Sequence, residues 1–128
     1  MLERRMSPRI GTNLEVRYSH YQTKRKKRSR TTTIYTKGEK AIARALDISC
    51  GGLLLETVQY MDDESLMEMA ICLGNTTIRA TGKVVHCQED DGKFLLGIKF
   101  LNMREEHRRL LYSFIASKME SYYAPAPA

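Results

Sequence analysis

Apolar and polar residues alternate along several short stretches of this chain, and alternation with a period of two is typical of strands with one buried face. The first stretch is NLEVRYSH, residues 13–20, in which Leu14, Val16 and Tyr18 alternate with polar neighbours. It predicts a strand with those three side chains in the core.

A second alternating stretch is AIARALDIS, residues 41–49. One face carries Ile42, Leu46 and Ile48, and we expect this face to be buried, with Arg44 at its rim. The other face then carries Ala43, Ala45, Asp47 and Ser49.

Turn signals divide the middle of the chain. LLLET follows Gly51-Gly52, Gly74-Asn75 separates LMEMAICL from residues 76–88, and Asp91-Gly92 leads into KFLLGIKFL, residues 93–101. Gly-Asn and Asp-Gly pairs are typical of two-residue β-hairpin turns. Short strands joined by tight turns predict an all-β fold, either a small closed barrel or a sandwich.

The periodicity changes near the C-terminus. Apolar residues recur there at helical spacing (Leu110, Leu111, Phe114, Ile115 and Met119), with charged residues between them. This pattern predicts a helix over 103–121 that packs its apolar stripe on the core. Residues 122–128 end in APAPA, which is typical of a flexible tail.

The positive charge is concentrated in one polar region. Of 21 Lys and Arg residues, six lie in KRKKRSR, and elsewhere basic and acidic residues balance, since the net charge is +6. Residues 21–40 read as a long loop or an extended hairpin tip. The six cations form either a solvated loop or a surface for anions, nucleic acid or a partner: Lys24, Arg25, Lys26, Lys27, Arg28 and Arg30.

The sequence offers little for catalysis or metal binding. His20, His86 and His107 are not spaced with carboxylates as a metal motif, and no Gly-rich phosphate loop precedes a helix. The three cysteines, Cys50, Cys72 and Cys87, form no CxxC pair, so we expect buried or half-buried thiols. With no signal peptide or membrane-spanning run, the chain reads as a cytoplasmic, single-domain protein without enzymatic activity, metal or cofactor.

Two short motifs carry a possible binding chemistry. In DISCGG, Asp47 and Ser49 lie two apart, so both side chains leave one side of a strand, and Gly51 and Gly52 let the backbone approach a ligand. Near the start, Arg5 and Arg9 have the spacing RxxxR, and Pro8 keeps this arm out of a helix. A carboxylate accepts from a guanine edge, and guanidinium groups bind phosphate or guanine. Both motifs therefore fit a ligand with guanine bases and phosphates.

RxxxR followed by DxSxxG, with the LGIKFLNM strand and a terminal helix, resembles PilZ domains, the bacterial receptors for cyclic di-GMP. The resemblance covers about residues 2–121. It implies a six-stranded antiparallel β-barrel with a C-terminal α-helix, and a mobile N-terminal arm, residues 1–12, that folds over the ligand.

The resemblance also implies roles for individual residues. Arg5 and Arg9 would grip phosphates and stack on or fork to guanine, Asp47 and Ser49 would read a guanine edge, and Gly52 would allow close approach. Arg4, just ahead of RxxxR, accompanies an intercalated ligand dimer in this family instead of a single molecule. The interval from Arg9 to Asp47 is longer than usual, so the basic region within 21–40 reads as an insertion.

Three hypotheses follow. The first is a cyclic di-GMP receptor that orders its arginine arm on binding and so changes its contact with an unidentified effector protein. The second is a nucleic-acid-binding module that uses residues 24–30. The third, a degenerate relative that binds only protein, is disfavoured by the intact Arg5, Arg9, Asp47 and Ser49.

Overall fold

The computed structural model describes residues 8–25 and 33–123, which form seven strands and one helix. The elements are β1 (Ile10–Arg25), β2 (Thr33–Lys37), β3 (Ala41–Ile48), β4 (Gly52–Thr57), β5 (Leu66–Cys72), β6 (Thr77–Asp90), β7 (Lys93–Met103) and α1 (Glu105–Tyr123). No helix in these ranges is both long enough and apolar enough to cross a membrane.

Six of the strands close into an antiparallel barrel. They follow the order β1-β3-β4-β7-β6-β5, and β1 returns to pair with β5, with Val16 opposite Ile71. β2 pairs with the far end of β1, outside the barrel. The predicted six-stranded barrel with a C-terminal helix is confirmed.

Alternation along the strands places the core inside the barrel. Val16 and Tyr18 of β1 are buried, as their spacing predicted, and β5 buries Met67, Met69 and Ile71.

Both predicted hairpin turns also form. Gly74 has a φ of 110°, and Asp91 and Gly92 have φ angles of 54° and 82°. Two-residue hairpin turns require such positive φ angles.

The predicted inward face of β3 is wrong over its first half. Ala43 and Ala45 point into the core, whereas Ile42 is 65% exposed and shares the outer face with Arg44. The pairing with β4 shifts register between Ala45 and Asp47, which leaves an extra residue at Leu46. Such a bulge reverses the alternation of inward and outward side chains. Ala43, Ala45 and Ile48 are therefore all buried, although in a regular strand Ile48 would face the opposite side from the two alanines.

In the polar region 21–40, for which a loop or an extended hairpin was expected, the described residues on either side of 26–32 pair as antiparallel strands. β1 continues to Arg25, and β2 pairs back along it from Lys37 opposite Tyr21 to Thr33 opposite Arg25. The hairpin returns to the barrel at Gly38, whose N–H donates to the carbonyl oxygen of His20 at 2.8 Å.

The helix begins two residues later than predicted. Met103 is the last residue of β7, and the N–H of Arg108 donates to the carbonyl oxygen of Arg104 at 2.9 Å, which sets the first turn. The helix also continues past 121, to Tyr123. Leu111 and Ile115 are buried, so the apolar stripe packs within the molecule.

Candidate functional site

The two sequence motifs meet at one end of the barrel. β1 begins beside the end of β3, with Ile10 opposite Ile48 and Gly11 opposite Asp47. Just before β1, the Nη1 of Arg9 donates to the Oδ1 of Asp47 in an ion pair across the two strands. The second arginine of RxxxR and the aspartate of DxSxxG therefore lie in direct contact.

The geometry of β1 explains why Arg9 reaches this position. The pairing of β1 with β3 shifts between Gly11 and Leu14, and within that irregularity the hydroxyl of Thr12 donates to the carbonyl oxygen of Ala45 at 2.7 Å. This bond holds the start of β1 against β3. The side chain of Arg9 stays half exposed and that of Asp47 is 23% exposed, so both remain open to a ligand.

Ser49 lies in the tight turn that follows β3. Its N–H donates to the carbonyl oxygen of Gly52 at 2.8 Å, and its hydroxyl accepts from the N–H of Gly51 at 3.2 Å. The side chain is buried and its hydroxyl also lies 3.4 Å from the oxygen of Gly52. In this structure Ser49 shapes the turn, and Asp47, which is half-buried, is the acceptor of the motif that solvent can reach.

The two glycines of the motif have different surroundings. A Cβ at Gly52 would overlap the carbonyl oxygen of Ile98 on β7, so close packing between β4 and β7 requires a glycine there. A Cβ at Gly51 would meet only the hydroxyl of Ser49, at 3.9 Å, and Gly51 is exposed. Gly51 is therefore the glycine whose backbone is open to a ligand.

The helix also contacts this turn, through Cys50. The thiol is buried, and its burial raises its pKa. The guanidinium of Arg108 and a hydrogen bond with Tyr112, both on α1, oppose that rise in pKa. The turn between Asp47 and Gly52 is thus supported from the helix side.

Cys50 is buried and Cys72 and Cys87 are half-buried, as expected of the thiols.

His86 is a further residue near this site that the sequence motifs did not predict. Asp47, Leu54 and Gly97 are successive cross-strand partners, and His86 is the partner of Gly97 on β6. The imidazole of His86 covers the place that a side chain at Gly97 would take, and it is exposed. An exposed ring therefore lies on the same outer row as Asp47. His86 could not be placed in this row from the sequence alone, because its position depends on the register between β6 and β7.

Several predicted site residues fall outside the described part of the chain. Arg4 and Arg5 do so, as do Lys26, Lys27, Arg28 and Arg30, while only the backbone of Lys24 and Arg25, in β1, is described. Of the predicted ligand residues, the structure brings together Arg9, Asp47, Ser49, Gly51 and Gly52. Among the described residues, no group of three His, Cys, Asp or Glu side chains is placed to hold a metal ion.

Comparison with known proteins identifies the family. Residues 3–117 match the PilZ domain family, which is most of the chain, so the protein belongs to it. No curated protein sequence matches the chain significantly.

Solved structures share the fold at low sequence identity. The inhibitor of motility MotI/DgrA of Bacillus subtilis has a TM-score of 0.72 and 13% identity, over 94% of this chain and 53% of that one. YcgR of Escherichia coli in complex with c-di-GMP has a TM-score of 0.67 and 15% identity, over 94% and 48%. The MrkH–c-di-GMP complex of K. pneumonia has a TM-score of 0.64 and 18% identity, over 98% and 56%. The chain thus spans about half the length of these proteins.

Proposed function

We propose that this protein is a non-enzymatic receptor for cyclic di-GMP. The observation that carries the proposal is the contact between Arg9 and Asp47, which joins the two halves of the PilZ motif on one exposed surface. Membership of the PilZ family supports it, and so do the structures of YcgR and MrkH, which contain c-di-GMP.

The chemistry of the exposed groups fits this ligand. The carboxylate of Asp47 accepts hydrogen bonds from the N1 and N2 edge of guanine, and the guanidinium of Arg9 binds phosphate or stacks on a base. Gly51 leaves room for the ligand beside the backbone. Ser49 preserves the shape of the turn, and its hydroxyl reaches the ligand only if the turn rearranges.

Of the predicted arm, residues 1–12, the part from Ile10 onward belongs to β1 and pairs with β3, so we propose that the part ahead of β1 closes over the ligand. In the free protein Arg9 is held by Asp47. A ligand that offers phosphates to Arg9 and a guanine edge to Asp47 replaces this ion pair with contacts to both groups. Arg4 and Arg5 would add contacts from the same arm, and Arg4 would favour two intercalated ligand molecules. The ordered arm then changes the surface that an effector protein meets, which is how the signal would be passed on.

Calorimetric titration with cyclic di-GMP tests the site. We expect the natural chain to bind, Arg9→Ala and Asp47→Ala to lose at least tenfold in affinity, and Arg4→Ala to lower the ligand stoichiometry from two to one. Arg44→Ala is the matched control, because Arg44 is an exposed arginine on the same strand as Asp47. Binding that is unchanged in Arg9→Ala would refute the site.

A further inference from the structure

A cleft with a volume of about 370 Å³ lies on the outer face of β1, β5 and β6. Its floor follows one cross-strand row, in which Arg17 is the partner of Ala70 and Ala70 is the partner of Arg79. These residues alternate along their strands with the buried Tyr18, Met69 and Ala80, so the row faces outward. Asp47 and Arg9 do not line this cleft.

Four cationic side chains from separate parts of the chain line this cleft, which we call the cationic cleft: Arg17, Lys40, Arg79 and Arg104. Among the described residues of the lining, the one carboxylate is that of Glu68. Arg17 is paired with Glu15 at 3.0 Å, and Arg104 with Glu106 at 3.1 Å. Within the described ranges, no carboxylate lies within ion-pair distance of Lys40 or Arg79. Two positive charges are therefore available to a partner.

Hydrogen bonding of the backbone at Arg79 and strand pairing next to Lys40 hold the walls of the cationic cleft in place. The N–H of Arg79 donates to the Nδ1 of His107 at 3.0 Å, which ties β6 to the first turn of α1. Lys40 directly precedes Ala41, the cross-strand partner of Tyr18. Both free cations are thus attached to backbone that is held in place, so a partner need not order it.

We propose that the cationic cleft docks an acidic segment of a partner protein, with one carboxylate on Lys40 and another on Arg79. Ile42 is the cross-strand partner of Arg17 and is 65% exposed, so it offers an apolar contact at the edge of the cleft. A mixed acidic and apolar peptide meets both features.

The charges around the cleft favour a peptide over a nucleic acid. A phosphate backbone carries a negative charge at every repeat, whereas two of the four cations in the lining are already paired with carboxylates. A peptide can place neutral residues beside the paired cations. Bound single strands also use exposed aromatic rings for stacking, and the one aromatic side chain among the described lining residues, Tyr18, is only 2% exposed.

The spacing of the two free cations defines the partner further. Lys40 and Arg79 are separated by three strand steps, from β3 through β1 and β5 to β6, which is roughly 14 Å at about 4.8 Å per step. The row of Arg79 meets β3 at Ile42, two residues beyond Lys40, which adds about 7 Å along the strands and gives a separation of roughly 16 Å. An extended peptide rises about 3.4 Å per residue, so the segment should carry acidic residues about four to five positions apart.

The docking surface does not depend on the proposed ligand site. Ile10 and Arg17 lie at two places on β1, separated by about 24 Å at the rise of a strand. Removing the free charges of the cationic cleft should leave cyclic di-GMP binding unchanged, so a failure of this inference and a failure of the receptor proposal give different results.

Selection from a phage-displayed library of 12-residue peptides, with the full chain as bait, tests the inference. The double variant Lys40→Gln/Arg79→Gln, which lacks both free charges of the cleft, is compared with the natural chain. Arg44→Gln/Lys118→Gln is the matched control, because it removes the same two residue types from exposed positions outside the cleft. We expect selected peptides to carry acidic residues three to five positions apart.

Fluorescence anisotropy then measures the affinity of a selected synthetic peptide. We expect at least a tenfold loss in Lys40→Gln/Arg79→Gln, a change within twofold in the control, and a loss on replacing the acidic residues of the peptide with Gln. Selection of no peptide, or of peptides that bind both variants equally, would overturn the inference.

Two further probes separate the other classes of partner. A 20-base-pair DNA duplex and vesicles of phosphatidylcholine with phosphatidylserine are titrated against the same variants. We expect the cleft variant and the control to behave alike towards both. If either probe binds more tightly than the peptide and loses that binding only in the cleft variant, the cleft is assigned to that partner and the inference fails.

Discussion

The carbonyl oxygen of Ile98 lies where the side chain of any residue other than glycine at position 52 would begin. The last glycine of the DxSxxG motif is thus required by the packing of β4 on β7, whatever it contributes to a ligand. Its neighbour Gly51 has open space around it.

These two glycines give a paired prediction. Gly52→Ala should lower the free energy of unfolding by about 2–4 kcal/mol, because the backbone of β7 must move. Gly51→Ala should change it by less than about 0.5 kcal/mol. Urea denaturation followed by circular dichroism measures both values, and equal losses in the two variants would contradict this assignment.

The ion pair of Arg9 with Asp47 should contribute little to stability. Both side chains retain contact with water, and exposed ion pairs contribute about 0–1 kcal/mol. We therefore expect Arg9→Ala and Asp47→Ala to unfold at nearly the urea concentration of the natural chain while they lose the ligand. A large drop in stability in either variant would mean that its binding defect reflects misfolding.

His86 should contribute to the affinity for cyclic di-GMP, if the ligand extends along the outer row from Asp47. An aromatic ring that stacks on a base contributes about 1–3 kcal/mol, so His86→Ala should weaken binding at least fivefold and His86→Phe should restore most of it. His20→Ala is the control, since His20 lies far along β1 from the site. Calorimetry on the three variants decides the matter, and unchanged binding in His86→Ala would exclude the ring.

Tyr18 gives a prediction about alkaline pH. Its hydroxyl hydrogen-bonds with Thr57 at 2.8 Å and donates to Gln59 at 3.0 Å, and burial raises its pKa above the ordinary value of 10.0, partly offset by the Thr57 bond. Tyr18→Phe should cost about 1–2 kcal/mol at pH 7.

The pH dependence of that cost has a definite sign. Above about pH 10, Tyr18 ionises in the unfolded chain before it ionises in the folded one, so the natural chain loses stability as pH rises. Phe at this position has no such loss. The difference between the two chains should therefore shrink from pH 9 to pH 11 in urea denaturation, and a widening difference would contradict the raised pKa.

Sequence patterns predicted most of the fold because alternation and turn residues are local signals. The hairpins at Gly74 and Asp91 and the helix followed from short stretches of residues. The orientation of β3 did not, since Ala43 and Ile42 compete for the core and a bulge at Leu46, set by pairing with β4, decides between them.

The candidate site was predictable in part. RxxxR and DxSxxG identified Arg9 and Asp47 before their contact was known. Three-dimensional structure was needed to separate the roles of Gly51 and Gly52, because the difference lies in Ile98, a residue of a distant strand. It was also needed for His86, which reaches the row of Asp47 only through the register of β6 and β7.

The seam between β1 and β5 has a consequence for the kinetics of folding. The first strand of the barrel pairs with Ile71 and Met67 far along the chain, so the pairing that completes the ring closes a long loop. Closing such long loops is slow, and β-barrels of this kind fold in milliseconds to seconds. We expect Ile71→Val to slow refolding in stopped-flow experiments more than Leu53→Val, which changes a buried residue of β4 away from the seam. Barrel closure at this seam would then be the step that limits the rate.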